Sequence, residues 1–360
     1  MIKKKKHLGE DSMINVFDIT EFGAVGDGIC DCTQAIQTAL DEAAKCRGKV
    51  IVPSGKYLTG KLNMSGSMVT LEGSSAWAFR ENASTLILKD DISDCLLDIT
   101  GAFGCCIKGI GLEGSKTGKN IHGIKLYWSE YNGGGSEDTP TIDNCRISGF
   151  SGDGVHLEHI WCFSVRHSML AFNMGAGLFI DGWDGFLLDN WFTFNQKGGL
   201  NGKVASSLTC TGNRVEWNRK GGFILPKGDS YNITGNFFDR TYGPALIMGG
   251  DDKNSCVDAV AVTGNIFRRN GASDKNESLE SPDMSTHISM KNCTNITVTG
   301  NTMRTGIGDN GLGNESPDYA FILTDCKNCI IENNVVGTGA LKKSFIFNGD
   351  NTASIIANNI

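Results

Sequence analysis

Glu216 and Asp239 are two carboxylates 23 residues apart, and 23 residues also separate Asn144, His167, Asn190, Asn213 and Asn236. Each of these five positions opens a similar phrase: NCRI, HSML, NWFT, NRVE, NFFD. The third residues after them form a column, Ile147, Leu170, Thr193, Glu216 and Asp239. If each repeat is one coil stacked at the ~4.8 Å spacing of neighbouring strands, the two acids lie one above the other. Alternation along the strand turns Phe192, Val215 and Phe238 inward and the acids to the outer surface. Like charges opposite one another in a sheet are destabilising, so the pair needs either neutralising cations or a use. The use would be glycoside chemistry, with one carboxyl protonating the leaving oxygen and the other acting as nucleophile or base. One coil of separation suits the ~5–5.5 Å of retaining glycosidases. The structural alternative is an ion-pair ladder, with Arg214 and Arg240 close by in sequence.

Aromatic residues surround the acids. Trp191 and Phe237 share an outward column with Arg214 and can offer a flat face to the C–H side of a sugar, whereas Trp217 falls at an inward position and reads as core. A second acidic group, Asp181-Gly-Trp183-Asp184, begins the Asn190 coil. Asp184 is the reserve catalytic carboxylate, with a capped turn as its plain alternative. Asp181, Trp183, Arg240 and the outward-alternating His156 complete the candidate substrate contacts. His156, His159 and His167 occupy adjacent coils without a spacing that brings them together, so no metal site is expected, and no cofactor motif is present.

These residues have to be positioned by a repeat. The asparagine pattern continues at longer intervals through Asn265, Asn301, Asn334 and Asn359, so the extra residues leave the coil as loops, about 270–286 and 304–318, both polar and rich in Gly, Ser, Asn and Asp. Short apolar runs (GVHL, GLFI, GGFIL, ALIM) are too closely punctuated for helices. A short β-rich repeat with a turn asparagine points to a parallel β-helix. The 47 Gly and 6 Pro fit an ordered, Gly-punctuated β protein, and no linker-like shift in composition divides the 360 residues. One domain over 16–360 follows, with a cap at 16–60, coils over 61–360, and a disordered tail at 1–15 that holds the basic run Lys3–Lys6.

The net charge of −7 argues against a nucleic-acid partner, and no stretch is long and apolar enough to span a membrane. No apolar segment follows Lys3–Lys6, so no export signal is read there. With 13 cysteines, a cytoplasmic address and Cys as a small core residue are the simplest expectation. Cys293 and Cys326, each eight residues before a repeat asparagine, should stack in the interior.

Residues 16–60 read as strand, Gly-rich turn, helix and strand. Thr33 suits the helix N-cap, and Ala35, Ile36, Ala39, Leu40 and Ala43 make one apolar face. Such a helix can cover the open end of a β-helix. The phrases Phe22-Gly23-Ala24 and Gly26-Asp27-Gly28, with Asp31 and Thr33, resemble the opening of the pectate-lyase-like right-handed β-helix superfamily. Asp27 and Asp31 are expected to serve the turn and the helix start. The phrases GWDGFLLDNWF and GNRVEWN are similar to those of bacterial β-helix glycoside hydrolases.

The resemblance implies an all-β fold: a single right-handed parallel β-helix with an N-terminal capping helix. It also implies a carbohydrate-active enzyme, a glycoside hydrolase or fructotransferase-like protein acting on an oligosaccharide, with trimeric association common among such proteins. The polygalacturonase signatures are not found together here and the calcium-dependent pectate lyase phrase is missing, which sets galacturonan in question. Two alternatives stay open: a lyase acting on uronates, and a non-catalytic, tailspike-like glycan-binding β-helix.

Overall fold

The computed structural model describes residues 15–131, 135–252, 254–271, 284–311 and 316–360. The tail expected over 1–15 lies outside the described residues except for Asn15, as do residues 272–283 and 312–315 of the two expected loops.

The chain is a parallel β-helix. Among the described residues the strands form one 21-stranded sheet and one 11-stranded sheet, here the broad and the narrow sheet, and successive coils pair in parallel in both. One coil shows the plan. Leu178–Leu188 runs in the broad sheet, a tight turn at 189–190 follows, Trp191–Thr193 lies in the narrow sheet, and Leu200–Thr211 re-enters the broad sheet one layer on. The narrow-sheet strands give one large apolar residue per coil to the interior: Phe192, Val215, Phe238 and Phe267 are all fully buried. Phe238 and Phe267 stack at 5.0 Å. Parallel stacking thus turns a 23-residue sequence period into columns of like side chains.

The turn asparagines form a hydrogen-bonded ladder. From Asn190 the amide oxygen of each next coil accepts both the backbone N–H and the side-chain NH2 of the one before, through Asn213, Asn236, Asn265, Asn301 and Asn334 to Asn359. Two expected members are not in it. The residues that stack under Asn190 are Ser168 and Cys145, since Ser168 N–H donates to Asn190 and Cys145 N–H to Ser168. Asn144 and His167 sit one residue earlier, in a column of left-handed turn residues with Asp189 (φ 51°, 47° and 54°). The reason is that Ser168 to Asn190 spans 22 residues, one fewer than the period.

A second ladder joins Asn173, Asn195 and Asn218 at the other end of the narrow strands. Its Asn-x4-Asn spacing is visible in the sequence at 190/195 and 213/218.

The helix Thr33–Cys46 covers the first coil with Ile36, Ala39, Leu40 and Ala43. Cys32, not Thr33, is its N-cap residue and makes no side-chain cap bond. Asp31 reaches past it to accept Thr33 N–H at 3.0 Å, while Thr33 Oγ1 accepts Gly60 N–H at 2.7 Å and ties the cap to the coil. Asp27 accepts the Ile29 and Cys30 amides, so both acids do serve turn and helix start. All thirteen cysteines are free thiols. Cys293 and Cys326 are fully buried, and the Thr294–Lys327 bridge places one over the other.

Candidate active site

The narrow sheet places Glu216 directly opposite Asp239, with Thr193 beneath. The coils before Thr193 contribute Ala171 and Ser148 to the column. Leu170 and Ile147, expected there, are core residues, displaced by the short coil.

The two acids face away from the solenoid interior yet are not exposed: Glu216 retains 3% and Asp239 1% of its surface. Cations and rings bury them. Arg269 grips Asp239 with Nε at 2.8 Å and Nη2 at 2.5 Å, and Arg240 adds Nη2 at 2.9 Å. Trp191 Nε1–H donates to Glu216 at 2.9 Å, and Arg214 stands 3.0 Å from its other oxygen. Asp309, from the segment after Arg304, bonds Arg240 and Arg269 in turn.

Trp191, Arg214 and Phe237 do share a column, with the guanidinium 5.8 and 5.3 Å from the two ring centres. Trp217, expected as core, instead has φ 59°, which breaks the alternation. Its ring lies outside, stacked on Phe194 at 5.5 Å and under Arg240 at 4.1 Å. Trp77 and Phe79 fold over Trp191 from an earlier coil.

The other candidates gather on the broad sheet. Glu158 and Asp181 are register partners on adjacent coils. Asp181 is buried, and its oxygens meet the Tyr131 hydroxyl, Lys203 Nζ at 2.8 Å and His159 Nε2 at 3.6 Å. Lys203 also reaches Glu158 at 3.3 Å and stays half-exposed. Tyr131 packs 4.4 Å from the His159 ring and 5.0 Å from Trp183. Burial, then the hydrogen bond to Asp181 and its charge, push the Tyr131 phenol up to about 12. Hydrogen bonding to Asp181 holds Lys203 above its ordinary value.

His159 Nδ1 lies 2.7 Å from the Trp128 carbonyl. A carbonyl only accepts, so that nitrogen carries the proton and Nε2 faces the cluster with a lone pair when the ring is neutral. His156 Nε2 lies 3.4 Å from Glu158. Asp184 is displaced from this group. At φ 62° it belongs to a left-handed column with Cys162 and Ser207, and it accepts Trp161 Nε1–H at 3.1 Å.

Two irregularities assemble the cluster. Pairing steps from Glu158–Asp181 to Ile160–Gly182, leaving His159 as an extra residue, and from Ile180–Gly202 to Gly182–Ala205, leaving an extra residue at 203–204. Such bulges re-aim side chains and recur beside active sites. The sequence reading named Asp181, Trp183 and His156 as candidate contacts, set His159 aside, and did not single out Glu158, Lys203 or Tyr131. The available signal was local: two pairs of like acids, Glu158/Asp181 and Glu216/Asp239, each 23 residues apart.

Parallel strands stacked coil on coil in two sheets define the class of parallel β-helix proteins. More narrowly, residues 14–222 match the profile described as rhamnogalacturonase A/epimerase, pectate lyase-like, and the chain belongs to that family. Residues 159–312 match a right-handed β-helix region, so the helix is right-handed. Mannuronan C5-epimerase AlgE5 of Azotobacter vinelandii is 26% identical over 264 residues, 68% of this chain and 25% of that protein. The chain therefore aligns with about a quarter of that relative's length. The A-module of the mannuronan C-5 epimerase AlgE6 from the same organism superposes with a TM-score of 0.61 at 15% identity, covering 95% of this chain and 99% of that one. The catalytic unit of a GH87 α-1,3-glucanase from Streptomyces thermodiastaticus gives 0.58 at 14% identity, covering 98% and 70%. These two likenesses establish the shared fold. Among the described residues no helix is long and apolar enough to cross a membrane.

Proposed function

We propose that this chain acts on a uronate-containing glycan, moving a proton at the carbon next to the sugar carboxylate through the Glu158–His159–Asp181–Lys203–Tyr131 cluster. The observation that carries this reading is His159, whose Nδ1 proton is tied to a carbonyl and whose Nε2 turns toward the cluster, beside a tyrosine held in its protonated form. His159 is the base and Tyr131 the acid. A neutral base and a protonated acid side by side are what proton transfer at a carbon centre requires. An ammonium has three donors. Two of those on Lys203 are committed to Glu158 and Asp181, and the third is left to the substrate carboxylate, whose charge would otherwise oppose carbanion formation. Tyr131 then returns a proton either to the carbon, giving an epimer, or to the leaving glycosidic oxygen, giving an unsaturated product. The names of the relatives, epimerases of mannuronan and polygalacturonases, support a uronate.

Hydrolysis or transfer by a carboxylate pair is the second reading, favoured by the direct register of Glu158 with Asp181. In either case Glu216 and Asp239 are assigned to an ion-pair ladder.

Turnover of mannuronate and galacturonate oligosaccharides in D2O, followed by NMR, tests the assignment. Deuterium at the carbon beside the carboxylate, or an unsaturated end, is expected, with loss of both in His159→Gln and Tyr131→Phe. New reducing ends with neither deuterium nor an unsaturated end would favour the carboxylate pair. Full activity in both variants would refute the assigned site.

A further inference from the structure

His122, Asp153 and His156 form a second cluster, next to the proposed active site but separate from it. Each offers one donor atom, and the three lie within 4.8 Å of one another. They come from the first residue of the strand His122–Tyr127, the turn before Val155–Arg166, and that strand itself. We propose that these three residues bind a divalent transition-metal ion.

Asp153 N–H donates to His122 Nδ1 at 3.0 Å, so Nδ1 carries no proton, and its one lone pair is held by that amide until an entering ion displaces it. The Asp153 carboxylate oxygen Oδ2 lies 3.4 Å from the same nitrogen. Ligands bound at ~2.0–2.1 Å in tetrahedral geometry are separated by about 3.3 Å, and this pair already has that spacing.

His156 Nδ1 lies 2.8 Å from the same oxygen, at present a hydrogen bond. On metal entry the imidazole proton passes from Nδ1 to Nε2, where Glu158 accepts it, and the Nδ1–Oδ2 pair opens by about half an ångström. Behind it, His156 Nε2 faces Glu158, the carboxylate-behind-histidine arrangement that orients metal-bound imidazoles.

The surroundings make room for an ion. A Cβ at Gly152 would stand 2.8 Å from His122 Nδ1, and one at Gly175 would stand 2.2 Å from Asp153 Oδ1. Phe179 stacks on the His156 ring at 4.5 Å and closes the outer side. Lys125, the register partner of His156, extends to Asp94 at 2.9 Å and leaves the cluster without an ammonium. By contrast, Lys203 already neutralises the Glu158–His159–Asp181 group. Two imidazoles and one carboxylate favour zinc or its first-row neighbours over calcium or magnesium.

The test is calorimetric titration of the chelator-stripped protein with zinc chloride. One equivalent bound is expected. His122→Gln, checked for folding by its unfolding midpoint, should lose binding, and His159→Gln should keep it. A stripped wild type that takes up no zinc, or His122→Gln binding with unchanged affinity, overturns the proposal. The readout is binding, so it stands apart from the glycan reading.

Discussion

The two carboxylate pairs predict opposite behaviour on substitution, most sharply at Asp239. In Asp239→Asn the side chain keeps its size and one acceptor for Arg269 Nε but loses its charge. Arg269 is 3% exposed, and Asp239 holds it through two bonds and Arg240 through a third. The remaining anions compensate poorly, since Asp309 is more than half exposed and Glu216 is 3.7 Å from Arg240. Removing one partner of a buried ion pair costs about 3–5 kcal/mol because the other charge stays buried. The retained acceptor puts the expected loss near the lower end, about 3 kcal/mol. High salt should recover little of it, because buried pairs are weakly screened. Urea unfolding of wild type and variant measures this directly. His159→Gln is the counterpart, expected to lower kcat by about 10²–10⁴ with an unmoved unfolding midpoint. A loss below about 1 kcal/mol in Asp239→Asn, together with abolished turnover, would refute the reasoning and return the chemistry to the Glu216–Asp239 pair.

Two further outcomes follow from buried polar groups. Asn213→Ala removes the acceptor of Asn190 N–H and the donor to the Leu187 carbonyl. At about 1–3 kcal/mol for each stranded group, a loss of about 2–6 kcal/mol is expected in urea unfolding, and a change within error would mean that the ladder is not stabilising. His287 is fully buried, and burial lowers its pKa from 6.5 to about 3. The unfolded chain then binds the extra proton across that window, so stability falls as pH drops from about 6.5 toward 3. His287→Gln should flatten the upper part of this limb in midpoints measured between pH ~7 and ~4, because carboxylates held low, such as Asp31 at about 2, still keep their charge there. An unchanged slope would assign the acid sensitivity to other groups.

The architecture was legible because it depends on repetition. Asn190, Asn213 and Asn236 fix the stacking direction, and Phe192, Val215 and Phe238 fix the inward face, so the opposition of Glu216 and Asp239 followed by counting. Counting failed where a coil gains or loses a residue. Seen as a period, His167 was a substituted asparagine. In the structure the 22-residue step from Ser168 to Asn190 puts Ser168 in the ladder and His167 in the turn. That lost residue traces to His159, the extra residue between Glu158 and Ile160. One irregularity therefore both breaks the period and aims the imidazole. Trp217 was misplaced for a similar reason, because alternation assumes negative φ and its φ is 59°. Long-range partners were beyond reach: nothing local ties Arg269 to Asp239, 30 residues away, or Tyr131 to Asp181, 50 residues away.

Stacking alone does not decide whether a pair of acids is structural or reactive, since Glu158/Asp181 and Glu216/Asp239 are both register partners on adjacent coils. The neighbouring cations differ between the two pairs. Around Glu216 and Asp239 the positive charge comes from three arginines whose planar heads fill the space beside the carboxylates, with Trp191 and Trp217 against them. A guanidinium does not give up its proton in a protein, so that charge is permanent and the acids are locked. Around Glu158 and Asp181 the cation is a single half-exposed lysine, and the other neighbours, His159 and Tyr131, are groups that exchange protons. The same repeat thus produces a rigid ladder where its outer face is lined with arginine, and a face suited to chemistry where bulges bring histidine, lysine and tyrosine to the acids.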